Sequence, residues 1–188
     1  MRKIYLFMMV SLDGFFEGLD HDLSWHNVDL QFERFANDQL QNTGSILFGR
    51  KTYEMMAGFW PTEKGDTSPI TQKYMNSIPK FAISRTLKKA DWINTTLINK
   101  NIKDEINKLK NEEGKEIAIL GSNNLSVGLL KLGLIEEIRI MLNPVAIGKG
   151  TLLFQGLNKS IRFELISLRK FSSGNVLLIY NPPHSRIA

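Results

Sequence analysis

Twice along the chain an apolar run of strand length stops at a glycine and passes at once into helix-forming residues. The first is Ile46-Leu47-Phe48-Gly49-Arg50-Lys51-Thr52; the second is residues 116–120 followed by Gly121-Ser122. A short apolar run closed by a glycine reads as a buried strand, and the glycine lets the backbone turn directly into the next element. Apolar strands alternating with amphipathic helices place the chain in the α/β class, where helices cover a largely parallel sheet. Ligands of such sheets gather outside the carboxyl ends of the strands, so the strand-end residues are the first candidates for function.

The remaining pattern extends this grammar. Residues 3–10 are a nearly continuous apolar run, as expected of a strand covered on both faces, and Asp13-Gly14 ends it with turn chemistry. Val28, Phe32, Phe35, Ala36 and Leu40 recur at helical spacing, with Asp29, Glu33 and Asn37 on another face. After strand 45–48 and helix 50–57 come a Gly/Pro/Thr/Asp loop over 58–69, a short helix at 70–76, strands 80–84 and 95–98, and a helical stripe through Ile102, Ile106 and Leu109. Strand 116–120 leads to a helix marked by Leu125, Leu129, Leu130 and Leu132 that closes at Gly133. Strand 137–143, Pro144 and the Gly148-Lys149-Gly150 loop follow. Segments 161–168 and 175–180 flank Ser173-Gly174 and predict a terminal hairpin.

The predicted architecture is three-layer α/β/α, with a mixed, mainly parallel sheet and a C-terminal antiparallel hairpin. It forms a single domain over 1–182 with a tail at 183–188.

Composition narrows the chemistry. The formal charge of +5 is modest, and basic residues are interleaved with acidic ones along the 188 residues, a pattern that suits small anionic ligands and gives no nucleic-acid footprint. The absence of cysteine excludes disulfides, thiolate metal sites, cysteine nucleophiles and a cysteine-ligated zinc deaminase. His21, His26 and His184 are too dispersed for a metal site, and no Gly-x-Ser-x-Gly nucleophile elbow occurs. Ser11-Leu12-Asp13-Gly14 interrupts the first apolar run before a signal-peptide core or membrane span can form, so a cytoplasmic location without membrane partners is expected. The chemistry is therefore expected to belong to a cofactor.

Gly49-Arg50-Lys51-Thr52 is suited to a phosphate. A helix start presents unpaired amides and the positive end of the helix dipole, to which Arg50, Lys51 and Thr52 add cationic and hydroxyl donors. The plain alternative is an ordinary strand-to-helix turn with solvated basic residues.

Five segments in order, Ser11-Leu12-Asp13-Gly14, Gly49-Arg50-Lys51-Thr52, Ser84-Arg85-Thr86, Gly121-Ser122 and the run from Asn143-Pro144 to Lys149-Gly150 before Leu152-Leu153-Phe154, resemble the dihydrofolate reductase superfamily. The likeness is nearest to the branch containing the RibD C-terminal reductase domain of riboflavin biosynthesis, and it runs from Met1 to about Tyr180. It implies NADPH as cofactor, gripped by Gly49, Arg50, Lys51 and Thr52, by Ser84 and Arg85 at the 2′-phosphate, and by Gly121, Ser122 and Asn123 over the pyrophosphate.

For catalysis the resemblance implies Asp13, or the helix carboxylates Asp29 and Glu33. For the substrate it implies the loop at Gly148, for which a plain reverse turn is the alternative. Trp25-His26, a flat ring beside an imidazole ahead of the first helix, is suited to stack on and hydrogen-bond a heteroaromatic substrate; the alternative is a surface loop anchored by a buried tryptophan. The expected activity is reduction of a small heteroaromatic or carbonyl/imine compound, resembling 5-amino-6-(5-phosphoribosylamino)uracil reductase. The alternatives are an authentic dihydrofolate reductase and a non-catalytic NADP(H)-binding regulatory protein. A homodimer is expected from the same resemblance and from the apolar terminal strands.

Overall fold

The computed structural model describes residues 1–62 and 68–183. The centre of the predicted 58–69 loop, and residues 184–188 of the predicted tail with His184, lie outside the described residues. In chain order the elements are β1 (Ile4–Val10), β2 (Phe15–Glu17), α1 (Leu30–Gln41), β3 (Thr43–Gly49), α2 (Arg50–Phe59), α3 (Pro69–Ser77), β4 (Lys80–Ile83) and β5 (Thr95–Ile98). They continue with α4 (Ile102–Asn111), β6 (Glu116–Leu120), α5 (Asn123–Lys131), β7 (Glu137–Leu142), β8 (Thr151–Leu152), β9 (Glu164–Lys170) and β10 (Val176–Asn181). The strands are mixed and mostly parallel, with helices between them and a C-terminal antiparallel pair, as the sequence predicts. Among the described residues no helix is long and apolar enough to cross a membrane.

Two compact units can be distinguished: Met1–Ile4 with Glu33–Ser122, and Tyr5–Phe32 with the chain from Asn123 onward. In the first, the strands lie in the order β5-β4-β3-β6 and each neighbouring pair is parallel. Ile46, Leu47, Phe48, Ala82, Ile117 and Ile119 are buried, which explains why these strands read as continuous apolar runs rather than alternating ones. The register sets Gly49 beside Ile83 and Leu47 beside Ile119, so the carboxyl ends of β4, β3 and β6 lie side by side.

A buried lysine anchors this unit. Lys80, only 1% exposed at the start of β4, donates from Nζ to the carbonyls of Met75 at 3.0 Å, Asn76 at 3.1 Å and Ile78 at 2.7 Å. These are carbonyls at and just beyond the end of α3 that the helix itself leaves unpaired, and a cation there also meets the negative end of the helix dipole. The ammonium lies 4.5 Å from the centroid of the Trp92 ring. That indole stacks on Phe48 at 6.0 Å and donates from Nε1 to Asn76 Oδ1, while the Trp92 amide donates to the Tyr53 hydroxyl.

In the second unit β1 pairs with β7 in parallel, β7 with β10 and β10 with β9 antiparallel, and the short strands β2 and β8 pair separately. Segments of three and two residues are too short to show a period-two pattern, so the sequence pattern does not reveal β2 and β8. The hairpin also falls later than the predicted 161–168 arm, with β9 at Glu164–Lys170. Its turn is drawn in around the buried Phe171, whose amide donates to the Asn175 carbonyl at 2.9 Å and whose carbonyl accepts from Gly174 at 3.1 Å.

Burial lowers the Lys80 pKa from 10.5 to about 8. Folding therefore disfavours its protonated form, and this cost is present below pH 8 and relieved as the pH rises from 8 towards 10.5. Denaturant unfolding of the wild type across that interval should show a gain in stability that Lys80→Met lacks. At pH 7 Lys80→Met should still cost about 2–3 kcal/mol, because the Met75 and Ile78 carbonyls lose the donor that Lys80 supplied. Equal stability of the two proteins at pH 7 contradicts the assignment.

Candidate nucleotide site

The carboxyl ends of β3, β4 and β6 each pass into a segment singled out by sequence. Gly49 is the N-cap of α2, with φ −72° and ψ 162°, and no side chain caps the helix start. The first-turn amides at Arg50, Lys51 and Thr52 are thus left for an external acceptor, in the field of the helix dipole.

Two hydrogen bonds fix this turn against the one after β6. Thr52, buried in the first turn of α2, donates from Oγ1 to the Gly121 carbonyl at 2.9 Å. The Gly49 amide donates to Ser122 Oγ at 3.0 Å. Gly121 adopts φ +63°, a region L side chains rarely enter, and a Cβ built there meets the Thr52 methyl at 3.3 Å. Glycine here serves the joint between the turns as well as the backbone. The hydroxyls of Thr52 and Ser122, expected to face a ligand, are directed to this joint.

Arg50 is exposed and spans two segments: Nε donates to Glu54 at 2.8 Å and Nη1 to Thr86 Oγ1 at 2.9 Å. Thr86, the last residue of the Ser84-Arg85-Thr86 motif, is thereby the residue that ties Arg50 to the end of β4. Its place two residues after Ser84 was the available signal. Ser84 itself is buried, and its Oγ accepts from the amides of Thr86 at 3.1 Å and Leu87 at 2.9 Å. It shapes the turn that presents the exposed Arg85. Arg50, Lys51 and Arg85 thus form a cationic rim at adjoining strand ends, with Lys51 also exposed.

The other predicted residues have different roles. Asn123 is buried and its amide group donates to the carbonyls of Leu152 and Leu153, fixing the start of α5 to the β8 segment. Asp29 accepts from the Phe32 amide at 2.7 Å, which makes it the N-cap of α1 rather than a helix-face carboxylate, and α1 begins at Leu30 instead of Val28. Glu33 lies half-buried in the first turn of the same helix.

Asp13 accepts from Ser11 Oγ at 2.6 Å and from the amides of Gly148 at 2.7 Å and Ile147 at 3.2 Å. The Ser11 hydroxyl first, then the Gly148 amide, hold its carboxyl below the usual range. Gly148 reaches Asp13 through its backbone, so that carboxylate and loop form one clamp.

Trp25 donates from Nε1 to the Asp22 carbonyl at 3.2 Å and meets the His26 ring edge-on at 4.5 Å. Burial pushes the His26 pKa down to about 4, so the ring is neutral at physiological pH.

This chain belongs to the RibD C-terminal domain family, whose model matches residues 2–177. It is 35% identical to the uncharacterized protein YyaP of Bacillus subtilis (strain 168), across 96% of this chain and 95% of that one. Among solved structures, a protein of Shewanella sp. PV-4 superposes with TM-score 0.74 at 24% identity, covering 96% of this chain and 99% of that one. The diaminohydroxyphosphoribosylaminopyrimidine deaminase/5-amino-6-(5-phosphoribosylamino)uracil reductase of Thermotoga maritima gives TM-score 0.71 at 14% identity, over 97% of this chain and 57% of that one. Dihydrofolate reductase of Enterococcus faecalis, solved with NADP(H), gives 0.63 at 11% identity over 96% of both chains. At these identities the structural likenesses show a shared fold, that of dihydrofolate reductase.

The Asp13 clamp has a measurable consequence. Asp13→Ala should raise hydrogen exchange at the Ile147 and Gly148 amides while leaving the β7 amides protected. Because its folded pKa lies below the ordinary carboxylate value of 3.8, the clamp's contribution is complete at neutral pH and is lost as the pH falls through the folded value. Unchanged exchange at both amides would show that they do not depend on this carboxylate.

Proposed function

We propose that this member of the RibD C-terminal domain family is an NADPH-dependent reductase acting on a small heteroaromatic or carbonyl/imine compound, of the kind represented by 5-amino-6-(5-phosphoribosylamino)uracil. The observation that carries the reading is the cationic rim of Arg50, Lys51 and Arg85 beside the uncapped start of α2 at three adjoining parallel strand ends. A dinucleotide bearing three phosphates suits that donor set: amides and a helix dipole for a diphosphate, guanidinium groups for a terminal phosphate. The NADP(H) bound by a reductase of the same fold supports the choice of cofactor.

In this reading NADPH, when bound, supplies the hydride. The protein's own residues bind and orient. The first-turn amides of α2 and Arg50 hold phosphate oxygens, and Arg85 reads the 2′-phosphate. Thr52, Gly121, Ser122 and Ser84 keep the turns in place. Trp25 and His26 offer an aromatic face and a neutral imidazole to a heteroaromatic substrate. Neither Asp13, held ionised, nor neutral His26 is suited to hand over a proton at neutral pH. Asp29 caps α1, which leaves Glu33 as the first-helix carboxylate that an authentic folate reductase would turn to the pterin.

Titration of the purified protein with NADPH and NADH, followed by fluorescence or calorimetry, tests this reading. NADPH should bind more tightly, Arg50→Ala should weaken both nucleotides, and Arg85→Ala should weaken NADPH selectively, by about tenfold or more for loss of a charge-assisted contact. Absence of binding to either nucleotide overturns the cofactor assignment. Tight NADPH binding without oxidation across pyrimidine, pterin and carbonyl substrates would favour a regulatory protein.

A further inference from the structure

We propose that His21, oriented by Glu17, is the proton donor of the reduction, giving the proton on Nε2 to the nitrogen or oxygen of the substrate's C=N or C=O bond. The inference rests on the reductase reading above, which supplies a hydride and leaves the proton unassigned, since Asp13 and His26 are unsuited to give one.

The arrangement is built on β2, where Glu17 pairs across the ladder with Thr151 of β8. The approach is close enough that a Cβ built on Gly150 would collide with the Glu17 carbonyl oxygen. Both oxygens of the Glu17 carboxylate are engaged: Oε1 accepts from Thr151 Oγ1 at 2.8 Å and Oε2 from His21 Nδ1 at 2.8 Å. The carboxylate side chain is 16% exposed and the imidazole 55%. A shielded, doubly held carboxylate gripping one nitrogen of an exposed imidazole fixes the ring's orientation and its tautomer. Nδ1 keeps its proton towards Glu17, and no described residue meets Nε2. Loss of a proton from Nε2 therefore leaves the neutral tautomer that Glu17 already holds.

The backbone is bent to the same end. Asp20 and His21 are successive non-glycine residues in the left-handed region, at φ 55° and 62°. The Gly18 amide closes this turn on the Asp22 carbonyl at 2.9 Å. An exposed ion pair by itself contributes little and does not account for such a conformation. The turn stands between the two segments that the reductase reading gives to the substrate. The Asp22 carbonyl, next to His21, accepts from Trp25 Nε1, and Thr151 follows the Gly148 loop that Asp13 clamps. All of these residues lie in the second unit. The Asp22 carboxylate is itself occupied by the Ser24 amide at 2.9 Å, which holds it below the usual range.

When the hydride supplied by NADPH adds to the carbon of the C=N or C=O bond, the electron pair of that bond moves onto nitrogen or oxygen. That atom takes the proton from His21 Nε2, whose N–H electron pair stays on the ring, and water restores the ring proton. One proton is consumed for each NADPH oxidised.

Wild type, His21→Gly and Glu17→Gln should bind NADPH equally well. Glycine adopts the left-handed backbone freely, so His21→Gly keeps the turn and opens room for free imidazole. On whichever of the pyrimidine, pterin and carbonyl substrates the wild type reduces, His21→Gly should lower kcat about a hundredfold with KM little changed. Added imidazole should recover part of that loss and do nothing for Glu17→Gln. In the nucleotide-free protein at alkaline pH, nitrogen-15 resonances should report His21 protonated on Nδ1, and as a tautomer mixture in Glu17→Gln. Undiminished kcat in His21→Gly, or a wild-type ring protonated on Nε2, overturns the proposal and leaves the reductase reading intact. A loss that imidazole does not reverse, with a tautomer indifferent to Glu17→Gln, marks a structural role and overturns it too. NADPH binding with no substrate reduced overturns the proposal and spares the cofactor assignment, whereas absence of NADPH binding removes the reading on which it rests.

Discussion

Two hydrogen bonds, Thr52 Oγ1 to the Gly121 carbonyl and the Gly49 amide to Ser122 Oγ, hold the turns after β3 and β6 in a single arrangement. Parallel pairing brings these strand ends to one edge, but it does not by itself determine how the chain leaves them. The cross-brace does, with a left-handed backbone at Gly121 that glycine adopts without strain. With Ser122 already receiving the Gly49 amide, the next amides along α2 are the ones left for an anion, and Arg50 is tied to Thr86 after β4. A binding site made largely of backbone requires such bracing, because amides present a useful array only when the turn carrying them has one conformation.

The other titratable positions show how burial and hydrogen bonding push in opposite directions. Asp13 is exposed and kept ionised by three donors; His26 is withdrawn from water and kept neutral. Neither state is apparent from residue type, since an isolated aspartate in a turn and a histidine beside a tryptophan each admit several roles. Their observed environments assign Asp13 to loop positioning and give His26 hydrogen-bonding capacity without charge.

What the sequence makes legible is what rests on local backbone constraint. The buried strands announce themselves as apolar runs, and Gly121 marks a turn whose left-handed backbone a side chain would strain. The partners of the hydroxyl and amide side chains are not legible in that way. Thr52 meets a carbonyl 69 positions away and Ser122 an amide 73 positions away, so a residue that looks like a ligand donor proves to be a brace. Asp29 shows the same limit at short range: Val28 carries the apolar stripe back past the true helix start and hides the cap. Lys80 reads as an unremarkable strand residue until α3 is seen to end against it.

The most direct test of the account follows the backbone amides of the isotopically labelled protein by NMR during titration with NADPH. The amides of Arg50, Lys51 and Thr52 should shift to saturation together, with Gly121 and Ser122 responding through the cross-brace. Saturable binding that leaves the α2 start unperturbed while shifting resonances elsewhere would contradict the claim that these strand ends form the nucleotide site.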